Sequence, residues 1–295
     1  MRRWRPKPRQ KIKIVNVAIR TSLAALLLTL TSAAWSDWRQ PEPANLLYMQ
    51  LPQGEVVMEL APGFAPKMVT NIRILAREHY FDGLAIVRSQ DNYVAQWADP
   101  ADEDDKARSL GSAATTVPPE FQRPSDEVRM TTVASRDAYA DIVGFVDGFP
   151  AASDGRNTWL VHCYGMVGVA RGNEPDSGNG SSLYVVTGHA PRHLDRNITL
   201  VGRVISGIEH LTTLPRGTAA MGFYTSVAEM TPIVRMRLGD DVAEADRLKI
   251  EIMRTDSDGF SDYVKSRTTR TEEWFVEPTG RIEICNIHPP VREIG

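Results

Sequence analysis

Several polar side chains between residues 178 and 195 are of types that carry chemistry. His189 and His193 are four residues apart, which is a spacing found in helical zinc sites. Pro191 lies between them and favours a loop over a helix. The only acidic side chain close by is Asp195, and no cysteine is near. The sequence therefore predicts no metal site in this segment.

The same segment contains the residue types of a hydrolytic triad. Ser181 or Ser182 could be combined with His193 and Asp195, but no Gly-x-Ser-x-Gly turn is present to expose a nucleophile. The glycine-containing loop at 178–180 lacks the lysine of a phosphate-binding loop. We expect neither a covalent intermediate nor a nucleotide at this segment.

Arg88 and Gln96 are candidates of a different type. Arg88 follows four apolar residues, 84–87, and an arginine in such a position usually forms a structural ion pair. Gln96 lies on the next apolar segment, where a polar residue is commonplace. A guanidinium group also carries a permanent charge and a rigid fork of donors, which suits it to hold a carbonyl oxygen. The choice between these interpretations depends on the surrounding pattern.

The elements that would position these residues are mostly short strands. Alternating apolar residues predict strands over 46–51 and 55–60. A helix over 67–79 follows, with its apolar residues on one face. Further strands are predicted over 84–87, 93–97, 159–170, 183–187, 199–205, 232–238 and 248–253, with a short helix over 207–214. Many short strands and few helices indicate a mainly β protein.

The order of these segments resembles the cyclophilin-type peptidyl-prolyl isomerases over about residues 45–238. The matching segments are VVMEL at 56–60, APKMVTN at 65–71, YFDG at 80–83, the stretch from Arg88 to QWAD at 96–99, GVA at 168–170, GSSLY at 180–184, LD at 194–195 and VGRVISG at 201–207. The resemblance implies a closed antiparallel β-barrel capped by two helices. It also implies an isomerase that rotates X–Pro bonds, needs no cofactor and binds proline-containing polypeptides.

The resemblance assigns roles to individual residues. Arg88 would be the catalytic donor to the substrate carbonyl, and Gln96 would hold the substrate backbone. The other positions that match the family's substrate-binding residues are Tyr93, Val94, Ala170, Ser182, Tyr184, His193 and Leu194. Of these, Tyr93, Val94, Tyr184 and Leu194 would form the walls of the proline pocket.

The chain departs from the family pattern around the rim of this site. Tyr93 and Tyr184 replace two pocket phenylalanines, and their hydroxyl groups need hydrogen-bond partners. The other departures are Ile86, Val87, Arg171, Ser182, His193 and Ile198. Because of these departures, the sequence does not define the substrate preference. An alternative function also stays open: a cyclophilin-fold module or chaperone that binds proline-containing segments with little or no isomerase activity.

The N-terminal segment, 1–36, has the order of a secretory signal: eight basic residues, a short apolar run and small residues at a cleavage point. We expect export to the periplasm with cleavage, and only transient contact with the membrane through this segment. Without it the chain has 26 basic and 37 acidic residues, a net charge of −11. Such a body repels nucleic acid, so we expect no nucleic-acid partner.

We predict a cyclophilin-like domain over 37–239 and a C-terminal extension over 240–295. Two regions are additional to the compact domain that is typical of the family. An insertion of about 100–160 contains an apolar patch at 142–149, which would be a packed surface loop, a lid or a partner-binding element. The extension at 240–295 is too apolar to be disordered and is expected to pack on the barrel. Export permits a disulfide between Cys163 and Cys285, and a buried free thiol at 163 is the alternative.

Overall fold

A computed structural model describes residues 36–101 and 106–294 of the chain. The predicted signal peptide, 1–36, lies outside the described residues apart from Ser36, and so do residues 102–105 of the acidic run. Among the described helices, none has the length and apolar character needed to cross a bilayer.

The described residues form seventeen strands and three α-helices. The strands are β1 Trp38–Arg39, β2 Leu46–Leu51, β3 Gly54–Leu60, β4 Ala85–Ser89, β5 Val94–Ala98, β6 Arg123–Pro124, β7 Thr131–Val133, β8 Ile142–Val146, β9 Phe149–Ser153, β10 Asn157–Leu160, β11 Met166–Val169, β12 Leu183–Val186, β13 Leu200–Ser206, β14 Thr231–Pro232, β15 Arg235–Leu238, β16 Ile250–Met253 and β17 Val291–Glu293. The helices are α1 Pro66–Arg77, α2 Glu209–Thr212 and α3 Asp258–Thr269.

Nine antiparallel strands form a curled sheet in the order β14-β4-β5-β12-β11-β13-β3-β2-β15. The mainly β prediction is confirmed, but the predicted closed barrel is not, because β14 and β15 at the two edges do not pair with each other. They are neighbouring parts of one segment. Ile233 N donates to Leu84 O at one edge (2.7 Å), and Val234 N donates to Gln50 O at the other (2.9 Å). The two edges are therefore joined along the chain rather than by a ladder.

Both helices predicted in the sheet region pack against its apolar side. Pro66 occupies the first turn of α1, where its missing N–H costs no helical hydrogen bond. The buried face of α1, including Ile72 and Leu75, joins the main core with Trp97 of β5 and Leu211 of α2. Burying one such side chain completely stabilises the fold by about 1.5–3 kcal/mol.

The insertion forms a second sheet, which the sequence analysis did not predict. Its strand order is β6-β10-β9-β8-β7, and β8 and β9 form a hairpin that turns at Asp147 and Gly148, both with positive φ. Phe145 of β8 packs edge-to-face against Phe260 of α3, with ring centroids 5.2 Å apart. The apolar patch therefore belongs to a core that the insertion shares with the C-terminal extension.

The C-terminal extension is folded. Its strand β16 pairs with β1 near the start of the described residues and with β17 near their end. Strands β1, β16 and β17 form a three-stranded sheet, so the predicted strand over 248–253 is confirmed. Helix α3 was not predicted; Ser257 caps it by accepting a hydrogen bond from Phe260 N at 3.1 Å. Cys163 and Cys285 form a disulfide with Cα atoms 5.0 Å apart, which resolves the alternative of a free thiol at 163.

Candidate active site

Arg88 on β4 and Gln96 on β5 face each other as a register pair. The ladder shifts register between Ile86 and Arg88, so a local irregularity of β4 precedes the arginine. Arg88 Nη1 donates to Gln96 Oε1 at 3.2 Å, Arg88 Nε donates to Met221 O at 2.7 Å, and Arg88 Nη2 donates to Gln90 Oε1. These contacts fix the plane of the guanidinium group.

Aromatic rings flank the same guanidinium group. The Arg88 Cζ atom lies 5.4 Å from the ring centroid of Tyr93 and 5.3 Å from that of Phe223. Burial lowers the pKa of Arg88, although the nearby Tyr93 and Tyr184 oppose this shift. An arginine remains cationic in proteins, so the site keeps one permanent positive charge.

Gln96 also connects Arg88 to the neighbouring strand. Its Nε2 atom donates to Ser182 Oγ at 3.2 Å, and the Ser182 hydroxyl donates to Trp97 O at 3.1 Å. Gln96 is the register partner of Tyr184 on β12. Three of the predicted site residues, Gln96, Ser182 and Tyr184, are thus brought next to Arg88 by pairing of adjacent strands.

An apolar cluster lies beside these polar groups. Its buried members are Val94, Tyr184 and Val186, and partly buried Tyr93, Ala170 and Ile198 pack against it. Four predicted binding residues therefore share one cluster: Tyr93, Val94, Ala170 and Tyr184.

The two remaining predicted positions, His193 and Leu194, lie on the segment between β12 and β13. Leu194 is half-buried on the one-turn helix Arg192–Leu194 and is not a member of that cluster. His193 is exposed, and its ring stacks on Tyr93 with centroids 6.4 Å apart. Ser182, which also lies outside a strand, bonds to Gln96, so the loop positions differ in how closely they join the site.

A buried chain of polar groups, not found by the sequence analysis, supports Tyr184. His162 is fully buried, with its Nε2 atom 3.0 Å from the Tyr184 hydroxyl and its Nδ1 atom 2.9 Å from Asp195 Oδ1. Arg192 donates from Nε to Asp195 Oδ2 at 2.6 Å and forms two further bonds with Asp137. A histidine inside the apolar segment 159–170 was the only sequence signal, since a buried imidazole requires partners.

A cleft of about 840 Å³ opens next to the Arg88–Gln96 pair. Gln96, Ala170 and Ser182 line it together with Phe223. Arg171, one of the departures from the family pattern, also lines it, and its Nε donates to Asn197 O at 2.9 Å. A space of this size can take an extended peptide segment.

This arrangement can bind and twist an amide. A fixed cation can hold a carbonyl oxygen, Gln96 offers an amide for the backbone, and the adjacent apolar cluster can pack a proline ring. Within residues 36–101 and 106–294, no group of three or more His, Cys, Asp or Glu side chains is arranged to hold a metal ion.

Comparison with known proteins agrees with this geometry. The family model for cyclophilin type peptidyl-prolyl cis-trans isomerases matches residues 46–237. The chain is 28% identical over 203 residues to a probable peptidyl-prolyl cis-trans isomerase of Brucella suis, and 27% identical to one of Brucella abortus; each match covers 68% of this chain and 88% of the relative.

A solved structure extends the similarity beyond that domain. The crystal structure of cyclophilin AquaCyp293 from Hirschia baltica aligns with a TM-score of 0.66 at 25% identity, covering 86% of this chain and 92% of the other. The matched length includes residues outside the family model, so the added regions contribute to the likeness. The resemblance found in the sequence is confirmed: the chain belongs to the cyclophilin-type peptidyl-prolyl cis-trans isomerase family and is an enzyme of that class.

Proposed function

We propose that the protein accelerates rotation about X–Pro bonds of exported polypeptides, with Arg88 as the catalytic donor. Rotation about the amide faces a barrier of ~18–20 kcal/mol because conjugation holds the bond planar. No proton or covalent bond has to be transferred, so a donor that favours the twisted amide is sufficient. The observation that carries the proposal is the guanidinium of Arg88, fixed by Gln96 beside an apolar cluster.

The hydrogen bonds of Arg88 leave donors for a substrate. A guanidinium group has five N–H bonds. Within the described part of the chain, one N–H each from Nε, Nη1 and Nη2 is used by Met221, Gln96 and Gln90. One N–H therefore remains on Nη1 and one on Nη2. These two can hold the substrate carbonyl and approach the prolyl nitrogen as it becomes pyramidal.

The remaining residues bind and orient the substrate. Gln96 presents its amide to the peptide backbone while Ser182 accepts a hydrogen bond from it. The proline ring packs against the cluster that contains Val94 and Tyr184, and Tyr93 covers both this cluster and Arg88. Holding the peptide in one orientation lowers the entropic part of the barrier.

Exported polypeptides are proposed as substrates because two features favour an oxidising compartment. The segment 1–36 has the composition of a cleaved signal, and the Cys163–Cys285 disulfide is of a kind that persists outside the cytosol. We place the mature protein in the periplasm. The test is expression of the whole chain in a Gram-negative host, followed by fractionation and N-terminal sequencing. A mature start after residue 34 or 36 supports export, and an uncleaved cytosolic protein contradicts it.

Cis–trans exchange measured by NMR tests the proposed activity. Residues 37–295 and the Arg88→Ala variant are compared on a short Ala-Pro peptide at matched concentration. Arg156→Ala, at an exposed arginine of the insertion, is the control for loss of one positive charge. Exchange that is fast with the parent and the control but slow with Arg88→Ala supports the proposal. Peptide binding without accelerated exchange by the parent would instead support the binding-module alternative.

A further inference from the structure

A cleft of about 700 Å³ is lined by four arginines that are distant from Arg88 in the sequence. It lies between the end of α3, the segment that follows it and the insertion. Arg267 and Arg270 belong to the first, Arg281 and His288 to the second, and Arg136 to the third. Outside segment 1–36 the chain has a net charge of −11, so four arginines around one cleft stand out from the rest of the protein.

Most of these arginines lack an internal counter-charge. Arg270 lies 3.6 Å from Glu272. Within residues 36–101 and 106–294, Arg136, Arg267 and Arg281 have no carboxylate within 4.0 Å, and the buried Nε of Arg267 has no hydrogen-bond partner. Orphaned donors and unpaired like charges cost free energy that a bound anion offsets.

The two carboxylates of the cleft do not neutralise its four arginines. Glu277 and Glu283 are part of the lining, but Glu283 accepts a hydrogen bond from Cys285 N at 2.8 Å and lies 3.8 Å from Arg192. Partial burial and the positive charges of Arg267 and Arg203 lower the pKa of His288, so the positive charge of the cleft comes from its four arginines and not from the histidine. The cleft therefore offers a surplus of cationic donors.

The cleft continues towards the proline pocket. A second cavity of about 610 Å³ shares Arg136, Glu283 and His288 with it and reaches Arg192. Gly188 and His189 also line this second cavity, and His189 N donates to Oδ1 of Asn92, the residue before Tyr93, at 2.8 Å. A polypeptide with its proline beside Tyr93 and its flank laid across the 188–189 loop would reach the basic cleft.

We propose that the basic cleft binds acidic side chains of the polypeptide substrate, so that the enzyme prefers X–Pro segments flanked at a distance by Asp or Glu. This inference rests on the proposed function, because it names the substrate class of that site. Arginines pair well with carboxylates, and Thr279 and Asn286 in the lining can bond to a peptide backbone. Glu277 and Glu283 in the lining would repel a densely charged membrane surface or a free phosphate more than a polypeptide with spaced carboxylates.

The test uses residues 37–295 with peptides that differ only in the flank. An Ala-Pro core carries about ten residues, ~33 Å when extended, of either a Glu-Ser or a Gln-Ser repeat, placed before or after the proline. The cleft variant is Arg136→Gln with Arg281→Gln, both at exposed positions. The matched control is Arg129→Gln with Arg156→Gln, which removes the same charge from exposed arginines elsewhere in the insertion. Both Kd and kcat/KM are measured at low and high salt.

The expected result is that one acidic peptide binds the parent and the control about tenfold more tightly than its neutral counterpart. This preference is lost in the cleft variant and shrinks in high salt. Equal binding of acidic and neutral peptides at both flanks overturns the inference, as does a preference that the cleft variant retains. Binding of anionic vesicles or pyrophosphate through Arg136 and Arg281, without binding of acidic peptide, also overturns it.

The same experiment distinguishes a protein that is not an isomerase from an isomerase whose cleft does not bind acidic segments. The short Ala-Pro peptide without a flank reports isomerase activity alone. If the parent does not accelerate its exchange, the proposed function fails, while the difference in Kd between acidic and neutral flanks still tests the cleft. If exchange is fast and no flank matters, only the inference about the cleft is wrong.

Discussion

The hydroxyl of Tyr184 lies 3.0 Å from Nε2 of the fully buried His162. Asp195 Oδ1 lies 2.9 Å from Nδ1 of the same ring, so a neutral imidazole donates to Asp195 and accepts from the tyrosine. Gly168 leaves room for this geometry, because a Cβ atom there would lie 2.3 Å from Tyr184 Cζ. A tyrosine at a usual phenylalanine position is thus accommodated by a histidine on one side and a glycine on the other.

Removing the Tyr184 hydroxyl is expected to affect stability more than catalysis. Tyr184→Phe keeps the ring in the apolar cluster but leaves His162 Nε2 buried without its partner. We expect the free energy of unfolding to fall by about 1–3 kcal/mol, with kcat/KM for an Ala-Pro peptide changed less than about threefold. Urea unfolding and the exchange assay measure the two effects. A large loss of kcat/KM at unchanged stability would show that the hydroxyl acts on the substrate.

Acid is expected to destabilise the protein through His162. Burial lowers the pKa of His162, and the salt bridge of Asp195 with Arg192 limits the opposing effect of that carboxylate. The unfolded chain, with a pKa of about 6.5, therefore binds this proton more readily than the folded protein. The contribution of His162 is complete above pH ~6.5 and is lost as the pH falls towards the lower folded pKa, by at most about 1.4 kcal/mol per pH unit.

Urea unfolding between pH 7.5 and 5 measures this contribution. His162→Asn keeps a donor for Asp195 but has no group that titrates in this range, so its stability should depend less steeply on pH than that of the parent. His189→Asn, at an exposed histidine, is the control and should follow the parent. Identical slopes for His162→Asn and the parent would contradict the assignment.

Loss of the Cys163–Cys285 disulfide is expected to lower stability. The two cysteines are 122 residues apart in the chain, so the bond restricts a long loop of the unfolded state. The double variant Cys163→Ser with Cys285→Ser should lose about 2–4 kcal/mol of unfolding free energy. A reducing agent should destabilise the parent by a similar amount and leave the variant unchanged. A parent that is insensitive to the reductant after complete reduction would rule out this role.

Asn71 of α1 is expected to anchor two loop positions, Ala114 of the insertion and Asn179, which lines the cleft beside Gln96. Asn71 Nδ2 donates to Asn179 O at 2.7 Å and to Ala114 O at 3.0 Å, and its Oδ1 accepts from Ala114 N at 2.8 Å. Asn71→Ala leaves these part-buried backbone groups without their protein partner, so the free energy of unfolding should fall by about 1–3 kcal/mol. Thr70→Ala, at the neighbouring exposed residue, should cost much less. Equal unfolding free energies for the two variants would exclude this anchoring role.

The strands of the curled sheet could be predicted because their apolar residues follow a regular period. The strand predicted over 46–51 coincides with β2, and α1 differs from its prediction by only one residue at the first end and two at the second. The single segment predicted over 159–170 is two strands, because Gly165 turns the chain with a φ of 83°. The edges of the sheet were not predictable, since pairing between distant segments leaves no local signal.

The second sheet was missed although a local signal for it exists. Asp147-Gly148 between apolar segments is a strong signal for a two-residue hairpin, and β8 and β9 turn there. Helix α3 has a weaker pattern: only Phe260 is buried among its twelve residues. Its position depends on the contact of Phe260 with Phe145 of the insertion, which sequence periodicity does not contain.

In the candidate site, too, some features could be predicted from the sequence and others depend on tertiary contacts. The family resemblance assigned Arg88, Gln96 and Tyr184 to one site, and strand register brings the three together. His162 was not found, because its role depends on Asp195, which is 33 residues away in the chain. The contact of Arg88 with the Met221 carbonyl is likewise tertiary, because 133 residues separate the two.

The most direct test of the account is the rate of cis–trans exchange of an Ala-Pro peptide with Arg88→Lys. Lysine keeps the positive charge but loses the planar fork that bonds Met221, Gln96 and the substrate together. The account predicts that kcat/KM falls about tenfold to a hundredfold while unfolding remains cooperative, and that the control Arg156→Lys matches the parent. Full activity of Arg88→Lys would contradict the central claim that the guanidinium group of Arg88 performs the catalysis.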